Sequence, residues 1–187
     1  MQSAEEHITP YYRLDPDAVL QAVESAGLLC DGRLLALNSY ENRVYQVGIE
    51  DAEPLVAKFY RPGRWSDEQI REEHAFSLEL EAAEIPLIAP TVFDGETLLR
   101  HQGFRFTLFR RQGGHAPELE DRDTRLWLGR FIGRIHAVGA AGRFSHRPRL
   151  GVEEFAVEPR RYLLEHGVLV VPVEGPKDPR AVASEGG

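Results

Sequence analysis

Three short apolar runs near the start of the chain constrain its fold most strongly. They cover residues 34–38, 43–49 and 54–60, and only a few polar residues separate each run from the next. Connections this short join antiparallel neighbours, whereas parallel strands need a much longer crossover. The pattern therefore predicts a three-stranded antiparallel meander.

The segment 66–84 has the clearest helical pattern in the sequence. Ser66 and Gln69 have the spacing of a capping box, and Asp67 and Glu68 place negative charge at the positive end of the helix dipole. A shorter helix is predicted over residues 15–27, since Asp15 is suited to the N-cap, Pro16 to the first turn and Gly27 to the C-terminal stop.

Two further strands are predicted after the long helix, at residues 91–93 and 104–109, with Asp94-Gly95 as the turn between them. The resulting order is three strands, one helix and two strands. It predicts an α+β fold in which one long helix packs on a five-stranded antiparallel sheet.

The second half of the sequence is less regular. Residues 110–121 contain Gly-Gly, a proline and an acidic run, which is typical of a linker. Apolar residues at helical spacing predict a helix over 125–138, and a short helix is expected at 159–166. From residue 172 to the end, proline, glycine and charge without periodicity predict a disordered tail.

The composition excludes several classes of function. The chain has 187 residues and a formal net charge of −8, whereas gripping nucleic acid requires a basic face. We expect no membrane span or signal peptide, because the longest apolar runs are too short and the N-terminus is polar. The single cysteine, Cys30, permits no internal disulfide, and a reducing, cytoplasmic location is expected.

Lys58 is unexpected in the otherwise apolar run "LVAKFY". Strand alternation places Val56, Lys58 and Tyr60 on one face of the sheet. A lysine on a covered sheet face costs several kcal/mol unless its ammonium finds a counter-charge or a phosphate. The alternative is a lysine on an edge strand whose stem packs while its ammonium reaches water.

Glu73 offers that counter-charge. At about 100° per residue, it falls within the apolar arc that Ile70, Phe76 and Leu80 define, whereas Glu72 faces the solvated side. The nearest cation in the preceding strand is Lys58, so the two are expected to pair. The alternative is a solvated glutamate in a run already rich in glutamate.

The polar segment 38–42, "NSYEN", separates the first two strands directly upstream of Lys58. Backbone N–H groups and the Ser39 hydroxyl in such a turn can donate to the phosphates of a nucleotide. Protein kinases combine a glycine-rich loop, a lysine on the third strand and a glutamate on the next helix. This loop contains no glycine, and a plain turn is the alternative reading.

Four strings, "LNSYENRVYQV", "VAKFYRPGRWSDEQIREEH", "LLRHQGFRFTLF" and "LGRFIGRIHAVG", closely resemble the bacterial stress response kinase A family, also called RdoA or YihE. These are serine/threonine protein kinases with an aminoglycoside-phosphotransferase-like fold. The resemblance, over about residues 12–172, implies a protein-kinase-like N-lobe at 1–109, a hinge at 110–121, the start of a helical C-lobe at 122–171 and a tail at 172–187.

The resemblance also implies ATP and Mg²⁺ as cofactors and assigns roles to individual residues. The loop would cover the phosphates, Lys58 would contact the α- and β-phosphates, Glu73 would hold Lys58, and the hinge from Phe109 to Gly113 would meet the adenine. The cofactor-binding residues are then Ser39, Tyr40, Glu41, Asn42, Arg43, Lys58, Glu73, Phe109, Arg110 and Arg111.

The family's catalytic loop, H-G-D-x-H-x-x-N, and its downstream aspartate motif are absent from the sequence. Asn38 and Asn42 are the only asparagines, and after Asp123 the only aspartate is Asp178. The chain is therefore expected to stop before its catalytic lobe, to contain no catalytic residue and to be inactive alone. The Mg²⁺ ligands are expected from the missing half.

Two other functions remain open. A small-molecule kinase of the aminoglycoside, choline or homoserine type shares the same lobe. A non-catalytic interaction module would instead dock on a partner through the apolar surface that the missing lobe would have covered. The family implies a protein substrate and a monomer. Without a second lobe, the helix at 128–135 would lack cover, so self-association of this chain is expected.

Two remaining groups of residues carry weaker expectations. The histidines show no spacing typical of metal ligands. The arginines of "RFSHRPR", residues 143–149, fit a phosphate or an acidic partner, but a solvated basic loop is the simpler expectation.

Overall fold

The computed structural model describes residues 11–168, and the chain divides into two compact units between Arg147 and Pro148. A single 3₁₀ turn, Tyr11–Arg13, opens the described part of the first unit. No helix among residues 11–168 is both long and apolar enough to cross a bilayer.

The first unit is built on a five-stranded sheet in which all paired neighbours are antiparallel. Its order is β1-β2-β3-β5-β4, which confirms the predicted α+β class. The first three strands form the predicted meander, although β1 begins four residues earlier than expected. The strands are β1 (Cys30–Leu37), β2 (Arg43–Ile49), β3 (Leu55–Phe59), β4 (Leu99–His101) and β5 (Phe104–Arg110).

The predicted position of the fourth strand is wrong. Residues 91–93 form no strand, and only an isolated bridge joins Phe93 to Glu96 across the Asp94-Gly95 turn. The fourth strand is β4, and the turn into β5 is Gln102-Gly103, both at positive φ. Two consecutive residues at positive φ suit the right-handed twist of a hairpin, and here the first of them is a glutamine, which gives a weak turn signal.

The core lies between one face of the sheet and the first helix, α1 (Pro16–Glu24). The Asp15 side chain caps this helix by accepting from the Ala18 N–H at 2.8 Å, as predicted. Two aromatic rings near the centre, Phe59 and Phe106, stack at 5.2 Å between centroids. The core residues are Leu14, Ala18, Val19, Ala22, Val23, Val47, Ile49, Ala57, Phe59, Phe104, Phe106 and Leu108.

The long helix, α2 (Asp67–Ala82), has the predicted capping box. Gln69 N donates to the Ser66 hydroxyl at 3.2 Å, and Ser66 N donates to the Gln69 side chain at 2.9 Å. Its first residue, Asp67, accepts from Arg105 Nη1 of β5 at 2.9 Å. These contacts fix the start of α2 against the sheet.

A third helix, α3 (Arg122–Ala141), is longer at both ends than the predicted 125–138. The Asp121 side chain caps it by accepting from the Thr124 N–H at 2.7 Å. None of its residues is buried in the structure of residues 11–168, and Trp127 and Phe131 stack on each other in partial exposure.

The second unit, taken by itself, contains a π-helical stretch (Glu153–Val157) that runs directly into α4 (Glu158–Glu165). The short helix predicted at 159–166 therefore exists with nearly the expected limits. The tail predicted to be disordered, 172–187, lies outside the described residues.

Candidate functional site

The register of the sheet places Lys58 in the centre of the face opposite the core. Val44 of β2 and Thr107 of β5 lie directly beside it on either side, and residues paired in this way project to the same face. Ala57 and Phe59 project into the core instead. We call the surface that carries Lys58 the Lys58 face.

Lys58 and Glu73 form the ion pair predicted from the sequence. Lys58 Nζ lies 3.3 Å from Glu73 Oε1, and the exposed fractions of the two side chains are 22% and 35%. The ammonium also lies 4.7 Å from the centroid of the Tyr60 ring. Partial burial reduces screening by water, so this pair is stronger than an ordinary surface pair.

Three hydrogen-bonded polar side chains, Tyr60, His74 and Thr97, lie next to the Lys58–Glu73 pair. The Tyr60 hydroxyl is 2.6 Å from His74 Nε2, and His74 Nδ1 is 2.8 Å from the Thr97 hydroxyl. Burial disfavours the imidazolium and lowers the pKa of His74 to about 4, and burial also raises the pKa of Tyr60. At neutral pH the hydrogen-bonded side chains of Tyr60, His74 and Thr97 are therefore all uncharged.

Much of the Lys58 face is open and apolar, although the polar residue Gln46 of β2 lies between Leu35 and Val56 in the register. Register places Leu35 and Leu37 of β1 on this face, together with Val44, Val56 and Phe109. The exposed fractions are 57% for Leu35 and 36% for Leu37. We call these five residues the apolar floor. It lies beside the ammonium of Lys58.

The loop between β1 and β2 is held by contacts with the connection that leads to α2. Trp65 Nε1 and Arg64 Nε donate to the two oxygens of Glu41 at 2.9 and 3.1 Å. Asn42 Oδ1 accepts from the Arg61 N–H at 3.2 Å. Tyr40 at the tip is fully exposed.

The predicted loop residues therefore have different surroundings. Ser39 and Tyr40 make no side-chain hydrogen bond within residues 11–168, whereas the side chains of Glu41 and Asn42 accept the hydrogen bonds given above. All four line a shallow pocket of about 440 Å³ together with Tyr11.

Arg43 and the hinge residues are spread more widely. The Arg43 guanidinium lies over the ring of Tyr11, 5.6 Å from its centroid. Phe109 belongs to the apolar floor, Arg110 Nη2 binds Glu81 at 3.2 Å, and Arg111 Nε donates to Gln46 at 2.9 Å. The structure thus brings Lys58, Glu73 and Phe109 to one face, with Arg43 directed elsewhere.

Two predictions about charged residues are wrong. Glu72 does not face solvent freely, because its carboxylate accepts the backbone N–H groups of Ser145, His146 and Arg147. Burial opposes ionisation of Glu72, but these hydrogen bonds outweigh it and hold its pKa below the ordinary value. The basic loop is not simply solvated either, since Arg147 Nη2 lies 3.2 Å from Glu73 Oε2.

Sequence reasoning missed Arg147 and Trp65 as parts of this site. A helical wheel ranks the faces of one helix, but it cannot show that a distant irregular segment covers one of them. Trp65 had a weak signal, because a tryptophan directly before a helix N-cap often packs at the start of the helix.

The sheet, the helix α2 and the lysine–glutamate pair that joins them define a kinase-like N-terminal lobe. The model of the phosphotransferase enzyme family matches residues 33–183. The chain belongs to this family.

The resemblance to stress response kinase A is confirmed. The chain is 45% identical over 160 residues to stress response kinase A of Escherichia coli (strain K12), covering 86% of this chain and 48% of that protein. It is also 45% identical over 151 residues to the serine/threonine protein kinase RdoA of Salmonella typhimurium, covering 81% and 46%. The chain thus spans about half the length of the curated relatives it matches.

Two solved structures share the fold. Amicoumacin kinase hAmiN in complex with AMP-PNP, Ca²⁺ and Ami gives a TM-score of 0.61 at 18% identity, covering 87% of this chain and 56% of that chain. The microcompartment-associated aminopropanol kinase gives 0.58 at 19% identity, covering 79% and 49%.

Proposed function

We propose that this chain is the ATP-binding part of a cytoplasmic kinase that transfers a phosphoryl group to a serine or threonine hydroxyl of a protein. The observation that carries the proposal is the Lys58–Glu73 ion pair beside the apolar floor. A cation next to an open apolar surface matches a ligand that joins an aromatic base to phosphates.

The apolar floor suits the adenine ring. Val44 and Leu37 offer aliphatic surface to one side of the ring, and burying apolar area contributes about 25 cal/mol per Å². Phe109 lies where β5 approaches the hinge. The backbone groups of residues 111–113 have no backbone partner within residues 11–168 and can then pair with the edge of the base.

Lys58 would bind the phosphates. An ammonium has three N–H donors, and Glu73 uses one of them, so donors remain for phosphate oxygens. Glu73 also fixes the lysine stem before the ligand arrives, which lowers the entropic cost of binding. Ser39 and the backbone N–H groups of the loop would cover the phosphates from the other side.

The class of molecule that accepts the phosphoryl group is inferred from the relatives. Kinases of this similarity are named stress response kinase A and serine/threonine protein kinase RdoA, which favours a protein hydroxyl. The second candidate is a small-molecule hydroxyl, since the two structural neighbours are kinases for amicoumacin and aminopropanol. Their identity to this chain is below 20%, so we place them second.

This chain alone is expected to bind ATP without turning it over. Its sequence has no asparagine beyond Asn42 and no aspartate between Asp123 and Asp178. Within residues 11–168, no group of three or more His, Cys, Asp or Glu side chains is placed to hold a metal ion. The proposal therefore assigns no Mg²⁺ ligand to this chain.

Isothermal titration of the 187-residue chain with ATP tests the proposal. Lys58→Ala should weaken ATP binding by about tenfold or more, because a hydrogen bond between charged groups contributes about 1.5 kcal/mol or more. Lys177→Ala is the matched control, because Lys177 is the only other lysine. No ATP binding by the unaltered chain, or equal binding by Lys58→Ala, would contradict the proposal. ATP turnover above that of Lys58→Ala would contradict the expected inactivity.

A lobe exchange separates the two acceptor classes. Residues 12–168 would be joined to the C-terminal part of E. coli stress response kinase A, or to that of the aminopropanol kinase. We expect Lys58-dependent phosphorylation only in the first fusion, because an interface between lobes requires matched surfaces. Activity in the second fusion alone would favour the small-molecule class.

A further inference from the structure

The carboxylate of Glu73 is shared between two cations. Its Oε1 binds Lys58 Nζ at 3.3 Å, and its Oε2 binds Arg147 Nη2 at 3.2 Å. Arg147 comes from the irregular segment after α3, far from Glu73 in the sequence. A carboxylate held at both oxygens cannot rotate without breaking one of these contacts.

Arg147 is fixed independently of Glu73. Its guanidinium lies 4.3 Å from the centroid of the Trp65 ring. Its backbone N–H donates to Glu72 Oε2 at 2.6 Å, and the neighbouring His146 carbonyl accepts from Gln69 Nε2 at 2.9 Å. These contacts hold Arg147 against the first two turns of α2, so its side chain can fix the position of Glu73.

The arrangement is costly if its only role is to stabilise the fold. Nη1 of Arg147 is buried and has no hydrogen-bond partner within residues 11–168. Leaving a buried donor unpaired opposes folding, and an arginine at this position also loses water around a charge. An unpaired buried donor in a folded protein calls for an explanation, and a role in the nucleotide site supplies one.

The Trp65 ring under Arg147 also connects it to the loop between β1 and β2. Trp65 donates to Glu41 Oε1 at 2.9 Å, and Glu41 anchors this loop. Arg147 therefore contacts both Glu73, which holds the lysine, and Trp65, which holds the loop.

We propose that Arg147 is a positioning residue for the phosphate-binding half of the nucleotide site. It orients Glu73 so that the glutamate holds Lys58 in place for the phosphates, and it steadies the loop through Trp65. The inference rests on the proposed function. It predicts that Arg147 affects phosphate binding and leaves adenine binding on the apolar floor unchanged.

Titration of the 187-residue chain with ATP and with adenosine tests this role. Arg147→Ala should weaken ATP binding by about tenfold, a typical coupling between contacting residues, and should change adenosine binding by less than about twofold. Arg147→Lys should recover part of the loss, because it keeps the charge and loses the planar stack on Trp65. The matched control is Arg149→Ala, since Arg149 is exposed and has no ion pair within residues 11–168.

A double variant separates positioning from direct contact. In a Glu73→Gln background, Arg147→Ala should cause a clearly smaller further loss of ATP affinity than in the unaltered chain, because Arg147 acts in large part through Glu73 and only the contact with Trp65 remains to be lost. An equal loss in both backgrounds would overturn the role. So would equal weakening of ATP and adenosine by Arg147→Ala, or by Arg147→Lys if the alanine variant does not fold.

The result also distinguishes the two proposals. If Lys58→Ala abolishes ATP binding while Arg147→Ala and Arg147→Lys bind like the unaltered chain, only the positioning role fails. If the unaltered chain does not bind ATP, the proposed function fails, and the role of Arg147 fails with it.

Discussion

Trp65 donates its indole N–H to the carboxylate of Glu41 at 2.9 Å and thereby ties the loop between β1 and β2 to the segment before α2. Arg64 binds the other carboxylate oxygen at 3.1 Å. Burial opposes ionisation of Glu41, yet these two donors outweigh it and keep its pKa below the ordinary value. A loop without glycine thus takes its position from side-chain anchors.

Trp65→Phe should loosen this loop. The variant keeps an aromatic ring but removes the N–H donor, so we expect a loss of about 1 kcal/mol in the free energy of unfolding. Hydrogen exchange measured by mass spectrometry should become faster across residues 38–42. Trp127→Phe is the control, because Trp127 lies exposed on α3. Unchanged exchange in the loop would show that Arg64 alone suffices as the anchor.

His74 should make the fold sensitive to mild acid. Its pKa is lowered from 6.5 to about 4 in the folded chain, so between these values the unfolded chain binds a proton that the folded chain does not. The free energy of unfolding is therefore highest above pH 6.5 and falls as the pH drops toward 4. From pH 7.5 to pH 5, the loss from this group is about 2 kcal/mol.

Urea unfolding at several pH values measures this effect. His74→Gln keeps hydrogen-bonding groups but does not titrate, so its stability should change less between pH 7.5 and 5. The comparison uses slopes with pH, and a general loss of stability in the variant does not affect it. Parallel slopes for both chains would mean that His74 is not the group responsible.

Asp67→Asn should destabilise the contact between α2 and the sheet. Asp67 binds Arg105 at 2.9 Å and also binds Arg100, and the Arg105 side chain is only 13% exposed. Removing the carboxylate leaves a largely buried guanidinium without its counter-charge, which should cost about 2 kcal/mol.

Asp123→Asn is the matched control for that prediction, since Asp123 also lies in the first turn of a helix and its side chain is 90% exposed. Both substitutions remove a favourable interaction with the helix dipole, and the contact of Asp123 with Arg122 at 3.9 Å is highly exposed, so the difference between them isolates the less exposed arginine contacts of Asp67. Chemical unfolding of both variants gives this difference. Equal destabilisation would assign the effect of Asp67 to the dipole alone.

Some features of the fold and site depend only on residues that are close in the sequence, and these features could be predicted. Strand alternation put Lys58 on one face, the helical period put Glu73 on the facing side, and Ser66 with Gln69 fixed the start of α2. The sequence pattern misplaces the fourth strand because Asp94-Gly95 gives a stronger turn signal than Gln102-Gly103, yet both turns exist.

The missed contacts have a different origin. Arg147 reaches Glu73 only because the segment after α3 returns to α2, and no periodicity relates positions so far apart. For the same reason the helical period places Glu72 in solvent, whereas Glu72 accepts hydrogen bonds from three backbone N–H groups of that segment. Contacts that depend on the path of an irregular segment need the structure.

Val44→Phe tests the adenine part of the site separately from the phosphate part. Val44 lies on the apolar floor between Leu37 and Lys58 in the register of the sheet. A phenyl ring there would occupy the space proposed for the base, so the affinity for both ATP and adenosine should fall by about tenfold or more.

Lys58→Ala, in contrast, should weaken ATP binding and leave adenosine binding nearly unchanged, because adenosine has no phosphate. Val152→Phe, at an exposed site in the second unit, is the control for added bulk. Titration of Val44→Phe and Lys58→Ala with both ligands gives four affinities that the two-part site must satisfy together. If Val44→Phe weakens ATP binding while adenosine binds as before, the base does not lie on this face of the sheet, and the floor beside Lys58 has another role.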